Sequence, residues 1–571
     1  VETEPEGNFP NAYKETVYDQ NYYVADVYGT YNKTFSDKHN LTLIAGYNYE
    51  AKYFRDLKTG RNGLLSEDLS DFNLATGTTI DLTGGRNEYA IMGWFYRAAY
   101  DYKGKYLFEM NGRYDGTSRF PRGKRFGFFP SFSAAYRISE ESFFEPLRST
   151  IDNLKLRFSY GSLGNQQIGY YDFIQTISTK GTMNDYSFNG SALGQHATVS
   201  DPVSGNQTWE KVVSKNIGID LNMLRNRLSL SADFYIRDTK GILSQGKSLP
   251  SIYGAKEPQV NANDLRTKGY ELVLGWRDSF KLAGKQFSYG ISAPLSDYTA
   301  KYTKCDNPTG LIGDPYVGKR LGEIWGYKVG GLFRTDEEAA EYASRIDYRT
   351  VAPGYYSSTG EYGKGVRAGD VIYLDLDGNN IINNGDGTVK NPGDMRVIGN
   401  SLPRYTYSIR GDLNWNGFDF AVFFQGVGKI DWMPSANCYY FWGPYSFPTT
   451  TFIAKDFERL AWSEDNRNTY FPRRRSYQTS SAGSMNVKTD RYLQDASYIR
   501  LKNITLGYTI PINKRILEKV RVYVSGENLA YWSPLKRYSK TVDPEVATTS
   551  ATNDCLYPYS RTFSVGVDIT F

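Results

Sequence analysis

The sequence predicts an all-β fold: a transmembrane antiparallel β-barrel with short periplasmic turns and long extracellular loops. Three observations carry this. Segments of about ten residues alternate apolar and polar side chains at every second position, the period of a strand with one face in lipid and the other on a polar lumen. No stretch approaches the roughly twenty consecutive apolar residues that a spanning helix needs. The chain holds 49 Tyr, 31 Phe and 9 Trp in 571 residues, yet only 40% of it is hydrophobic and its mean hydropathy is −0.53. A barrel reconciles the last two facts, because half of each strand and every loop meets water.

The individual strands follow from that period. Leu41 to Glu50 is the first clear instance. Between Tyr89 and Tyr102, Met92, Trp94, Tyr96, Ala98 and Tyr100 share one face, with Gly93, Arg97 and Asp101 on the other. A Lys103-Gly104 turn leads into a second strand with Tyr106, Phe108, Met110 and Tyr114 opposed to Glu109, Asn111, Arg113 and Asp115, which is a tight hairpin. Leu154 to Tyr160 precedes a second pair. Ile217, Ile219 and Leu221 lie before an Arg225-Asn226 turn, after which Leu228 to Ile236 alternates with Ser229 to Arg237. Further strands are Gly269 to Trp276, Phe287 to Ala293, Tyr405 to Leu413, Phe418 to Gln425, Ile499 to Ile510 and Arg521 to Glu527. The chain ends on Thr562 to Phe571, with Phe563, Val565, Val567, Ile569 and Phe571 on one face. The count is on the order of fourteen to sixteen strands. Inward-facing Arg97, Asp101, Arg113, Arg157, Asp233 and Arg237 are expected to hydrate the lumen. Stacked β-sandwiches also alternate, but their strands are shorter, near five or six residues.

Composition excludes several functions. The 67 basic and 62 acidic residues leave a net charge of +5 with no concentrated basic face, so nucleic-acid binding has no support. Two histidines, His39 and His196, lie in polar turns and cannot supply a zinc centre or a Ser/His relay. Cys305, Cys438 and Cys555 are scattered, without a CxxC, so neither a disulfide framework nor a redox pair is indicated. Glu140-Glu141 and Glu337-Glu338 are sequence neighbours whose side chains diverge, unlike a glycosidase acid and nucleophile. Thr335 to Arg345 reads as a short amphipathic surface helix. The chain is not expected to be an enzyme, and no organic cofactor is expected.

Two loop motifs stand out. Asp375-Leu-Asp-Gly-Asn-Asn-Ile-Ile-Asn-Asn-Gly-Asp386 matches a twelve-residue calcium loop. Asp375, Asp377 and Asn379 take positions 1, 3 and 5, the Ile381 carbonyl position 7, Asn383 position 9 and Asp386 position 12. Asn380 replaces the usual glycine at position 6 and tolerates positive φ; an Asx-rich turn without an ion is the alternative. The expected role is a structural calcium that stiffens an extracellular loop. Around Cys438 lie Tyr439, Tyr440, Phe441, Trp442 and Tyr445. They do not alternate, so a loop is expected, and their rings suit contact with a substrate or a partner.

Several stretches resemble the SusC/RagA group of TonB-dependent outer-membrane transporters. They are Gly112-Arg-Tyr-Asp-Gly-Thr-Ser-Arg-Phe120, Leu163-Gly-Asn165, Asn263-Asp-Leu-Arg-Thr-Lys-Gly-Tyr-Glu-Leu272, Ile324-Trp-Gly-Tyr327, Gly369-Asp370, Val397-Ile-Gly-Asn400, Ser497 to Tyr508 and Asp543-Pro-Glu545, in the family's order. The resemblance implies a barrel of about twenty-two strands with a plug, a SusD-like lid lipoprotein and energy from the TonB complex. No signal sequence, TonB box or plug is recognisable. Residues 1–571 are therefore expected to be the C-terminal part of such a barrel, reaching TonB through a missing N-terminal segment, with 301–400 a long extracellular loop region carrying the calcium-like motif. The expected location is the bacterial outer membrane, in contact with the lipid bilayer. The expected function is active import of oligosaccharides, with peptide import by the same machinery or a passive porin as rivals.

Overall fold

The computed structural model describes residues 12–64, 68, 71–180, 183–188, 191–193, 196–246, 250–356, 365–449, 451, 453–475, 477–479, 483–514, 517–547 and 558–571. Cys555 lies outside them. Fifteen strands form one sheet whose order is the chain order. They are β1 Ala12–Phe35, β2 His39–Asn62, β3 Thr79–Tyr102, β4 Tyr106–Thr117, β5 Phe126–Arg137, β6 Ile151–Asn165, β7 Glu210–Met223 and β8 Leu228–Gln245. The rest are β9 Gln259–Leu282, β10 Lys285–Lys304, β11 Arg404–Trp415, β12 Phe418–Lys429, β13 Tyr498–Lys514, β14 Leu517–Trp532 and β15 Thr562–Thr570.

From β9 to β15 short and long connections alternate. The short class includes 36–38, 103–105, 224–227, 283–284 and 416–417, and the long class includes 166–209, 305–403, 430–497 and 533–561. In an antiparallel meander successive connections fall at opposite strand ends, so 305–403, 430–497 and 533–561, which join strands of β10 to β15, share one end. The short turns have the backbone that tight hairpins demand. Asn416 and Gly417 have φ of 48° and 87°, and Ala283 and Gly284 have 49° and 77°, the positive pair of a type I′ turn. Strands β1, β2, β3 and β9 run to 24 residues each. A tilted strand crosses hydrocarbon in about 9–11 residues. These strands are therefore longer than crossing hydrocarbon requires.

The chain divides into two compact units, one of residues 1–135, 159–214 and 239–262, the other of 136–158, 215–238 and 263–571. In the first, β1 pairs with β2, β2 with β3 and β3 with β4, all antiparallel. Phe120, Phe129 and Trp209 make a small buried cluster there, with Ile168 against it. In the second, β9 to β15 pair in succession. The largest cluster of buried residues in the second unit lies mostly in the long connections, with Val427 and Tyr498 joining it from β12 and β13.

The two sheet faces differ in chemistry. One presents exposed apolar side chains, among them Trp94, Phe234, Ile291 and Val565. Such a band is costly in water and natural in lipid. The other carries ion pairs. Arg97 reaches Glu109 at 2.7 Å and Arg113 reaches Asp115 at 2.9 Å. Arg157 on β6 donates to Asp220 on β7 at 2.8 Å and to Asp233 on β8 at 2.8 Å. Gly218 makes room for that hub, since a Cβ there would lie 2.6 Å from Asp233 Oδ1 and 2.7 Å from Arg157 Cζ. Asp101 accepts from Asn40 at 3.0 Å and from the turn amide of Gly104 at 2.9 Å. The Arg237 guanidinium sits 5.6 Å from the Tyr235 ring. The six polar residues picked from the period thus all engage in polar or cation–π contacts.

Face chemistry predicts unequal costs for charge. Val565→Arg should destabilise the full-length protein in bilayers by about 2–4 kcal/mol if it lies near the midplane. Ser564→Arg, on the opposite face, should cost less than half as much. Folding titrations in lipid vesicles measure both, and equal costs would contradict a lipid-facing Val565.

Candidate functional site

The long connections of the second unit pack into one aromatic core. Phe333, Tyr348, Val371, Tyr373 and Ile382 come from 305–403, Phe441, Trp442, Tyr445, Phe471 and Tyr492 from 430–497, and Leu535, Val542 and Ala547 from 533–561. Ring contacts run through it: Trp442 lies 5.2 Å from Tyr492, Tyr445 5.4 Å from Phe471, and Tyr470 stacks on Tyr538 at 3.6 Å. Aromatic pairs of this kind add about 0.5–1.5 kcal/mol beyond area burial. An ion pair is sealed inside: Arg475 Nη2 is 2.5 Å from Asp370 Oδ2, and neither side chain is exposed. Burial pushes the Asp370 carboxyl up, and Arg475 opposes that. Above β13, Arg500 meets Asp543 and is 3.0 Å from Glu545, which also holds Lys502. The first pair joins the 430–497 and 305–403 connections, and the second group pins the last loop to the sheet.

This packing corrects the expectation for the aromatic cluster. Phe441, Trp442 and Tyr445 are buried. Trp442 donates its indole N–H to Ser435 O at 2.8 Å, and Tyr445 its hydroxyl to Pro472 O at 2.7 Å. Their faces stabilise the loops and do not meet solvent, because three connections share one core and need large apolar side chains to fill it. Tyr439 and Tyr440 remain half-buried, their rings 4.6 Å apart.

Around the acidic loop the structure departs from the twelve-residue template at two positions, Asn383 and Asp386. The carboxylates of Asp375, Asp377 and Asp394 lie within 4.8 Å of one another. Asp386 is not among them; it accepts from Asn391 Nδ2 at 3.0 Å. The chain from Asn384 to Gly393 intervenes, and Asp394, eight residues beyond Asp386, is the third carboxylate of the group. Asp375 accepts from the amides of Gly378 and Asn380 at 2.7 and 2.9 Å, and Asn379 Oδ1 from Ile381 N at 2.7 Å. Asn383 turns its Oδ1 onto Gly385 N at 2.6 Å, away from the position-9 role. Asn380 has φ of 65°, the conformation expected of it. Buried Asp394 accepts from Leu376 N at 2.6 Å and Asn383 N at 2.9 Å, so it clamps both ends of the loop. Three carboxylates and amide oxygens on a tight turn are the donor type a hard cation takes.

Beside this loop is a cavity of about 550 Å³ that sequence reasoning missed. Trp325 lines it from the strand Glu323–Gly326, which pairs with Arg396–Asn400. Glu323 accepts from the Trp325 indole at 2.8 Å and from the Tyr316 hydroxyl, and together with burial this pushes the Tyr316 phenol up to about 12. Lys319 donates to the carbonyls of Ile312, Gly313 and Asp314, while burial pushes its amine down. The Ile324-Trp-Gly-Tyr327 stretch was visible in the sequence; the residues that meet it lie some 60 and 160 positions away.

An antiparallel meander with an apolar face, an ion-paired face and long loops gathered at one end defines an outer-membrane β-barrel protein. Residues 3–529 match the family described as TonB dependent receptor-like, beta-barrel, and the chain belongs to that family, a class of receptors and not of enzymes. TonB-dependent receptor P3 of Formosa agariphila is 28% identical over 563 residues, 96% of this chain and 52% of that protein. TonB-dependent receptor SusC of Bacteroides thetaiotaomicron is 24% identical over 491 residues, 84% of this chain and 44% of its own length. The structure of the RagAB peptide transporter superposes with a TM-score of 0.74 at 21% identity, covering 98% of this chain and 56% of that one. The chain spans about half the length of the curated relatives it matches.

Burial separates the five aromatic residues experimentally. Trp442→Ala should remove about 3–5 kcal/mol from the loop core and expose the 430–497 connection to protease in the full-length protein. Tyr439→Ala should leave the cleavage rate within about twofold, since its half-buried ring costs little to remove. Equal protection in the two variants would contradict the buried packing of Trp442.

Proposed function

We propose that the full protein imports an oligosaccharide across the outer membrane, with a SusD-like surface lipoprotein as lid and TonB as energy source. The observation that carries it is the loop assembly: three long connections of a TonB-dependent receptor barrel share one aromatic core, and two of them, 305–403 and 430–497, line an open, mixed aromatic and polar cavity. Such a rigid platform suits capture of a specific solute, whereas a passive porin needs only an open lumen. On this reading Arg97, Asp101, Arg113, Arg157, Asp233 and Arg237 line a wet interior, and Tyr439 and Tyr440 offer ring surface to ligand or lid. Peptide import is the second reading, favoured by the likeness to the RagAB peptide transporter. Deleting the gene and measuring growth on single polysaccharides and on casein tests both: loss on one polysaccharide is expected, loss on casein alone favours peptides, and unchanged growth on all overturns import.

We further propose that Asp375, Asp377 and Asp394 hold a structural calcium that stiffens the 305–403 connection. Titrating calcium into the full-length protein should slow proteolysis of that connection. Asp394→Asn should abolish the protection and Asp386→Asn retain it. Protection lost in Asp386→Asn alone would return the closing role to that residue.

A further inference from the structure

The cavity beside Trp325 has two kinds of lining group. Its charged pair is already committed within the protein: Glu323 holds the indole and the Tyr316 hydroxyl, and Lys319 caps three carbonyls. These bonds fix the ring and the wall behind it before any ligand arrives, which lowers the ordering cost of binding. The second kind is uncommitted. Thr350, Asn384, Asn486 and Lys488 line the same space, and among the described residues their side chains have no protein partner. Asn486, Lys488 and Thr350 are exposed, and the Trp325 ring is half-exposed. Met395 and Val487 extend the apolar wall that Trp325 begins.

We propose that this cavity is a glycan subsite, in which a pyranose lies with its C–H face on Trp325 while Thr350, Asn384, Asn486 and Lys488 meet its hydroxyl rim. The assignment rests on the import function proposed above and deepens it by naming a site and a ligand class. A pyranose presents one apolar face and a ring of donors and acceptors, which is the complement of one indole wall and four free polar side chains. The volume falls within the roughly 300–1,000 Å³ usual for small-molecule sites. One common way for an extended peptide to bind is by adding to a free strand edge. Here the Glu323–Gly326 strand is laddered to Arg396–Asn400, and Tyr327 exchanges backbone bonds with Lys488 O at 2.9 Å and Asp490 N at 3.2 Å. The free groups that line the cavity are side chains, which favours the sugar.

The test uses the full-length gene in its native host, with wild type, a deletion, Trp325→Ala, Trp325→Phe and the double variant Asn486→Ala/Lys488→Ala. Starch, laminarin, xylan, pectin and casein serve as single carbon sources, with surface protein measured by blotting and barrel folding by heat-modifiable gel migration. The expected result is that the deletion loses growth on one polysaccharide. On that polysaccharide, Trp325→Ala and the double variant should take up its oligosaccharides at least tenfold more slowly at equal surface amount, with Trp325→Phe near wild type because it keeps an aromatic face. Wild-type uptake by both Trp325→Ala and the double variant would overturn the subsite while leaving the import function standing. So would loss on casein alone. A deletion that loses nothing would overturn the import function itself.

Discussion

The constraint on which the rest depends is that hydrocarbon offers no partner for backbone N–H and C=O groups, so every spanning residue must bond to a neighbouring strand. This forces an antiparallel ladder, and the ladder in turn forces period two on the side chains. The polar face then carries its own obligations. A guanidinium such as Arg157 sits on three adjacent strands with Asp220 and Asp233 both in reach, so side-chain bonding crosses strands just as the backbone ladder does. Partial exposure keeps each such pair modest in energy; their value lies in fixing which residues face inward.

A second constraint acts above the membrane. A loop of 99 residues such as 305–403 cannot stay ordered on turns alone, because fixing its backbone costs about 1–2 kcal/mol per residue. The sheet offers it no dry interior, so the loops must build one from one another. That is why the largest buried rings, Trp442, Tyr348, Tyr373, Tyr445 and Tyr492, belong to connections and not to strands. The buried Arg475–Asp370 pair follows the same logic: removing either partner strands a charge in a dry core, so the pair ties 430–497 to 305–403 in one register.

The strands were legible because period two and turn chemistry are local. Asn416-Gly417 and Lys103-Gly104 mark hairpins by residue type, and the strands around them appear where alternation places them. Two strands were not recognised. In β1, Tyr22, Val24 and Tyr28 stand on one face and Tyr23, Val27 and Tyr31 on the other, so no face reads as apolar. In β5, Pro130 interrupts the pattern, and proline within a run argues against a strand. The sites were less legible because they are assembled from distant segments. A twelve-residue template ends at Asp386 and cannot anticipate that the turn from Asn384 to Gly393 brings Asp394 beside Asp375 and Asp377. The Tyr439 to Tyr445 cluster was recognised as a loop but not as buried, since sequence reports that rings are present and not which surfaces cover them.

The acidic loop and the cavity share structure, and this gives the loop motif a purpose beyond stiffness. Asn384 lies inside the turn that displaces Asp386, and Met395 directly follows Asp394; both line the cavity beside Trp325. Asp394 holds both ends of the acidic loop through Leu376 N and Asn383 N, so its bonds help set where Asn384, next to Asn383, and Met395, next to Asp394, stand. A shift of about 1 Å in such groups is enough to spoil a binding geometry. The carboxylate cluster is thus placed to act on the cavity through position, whether or not its own oxygens ever touch what the cavity holds.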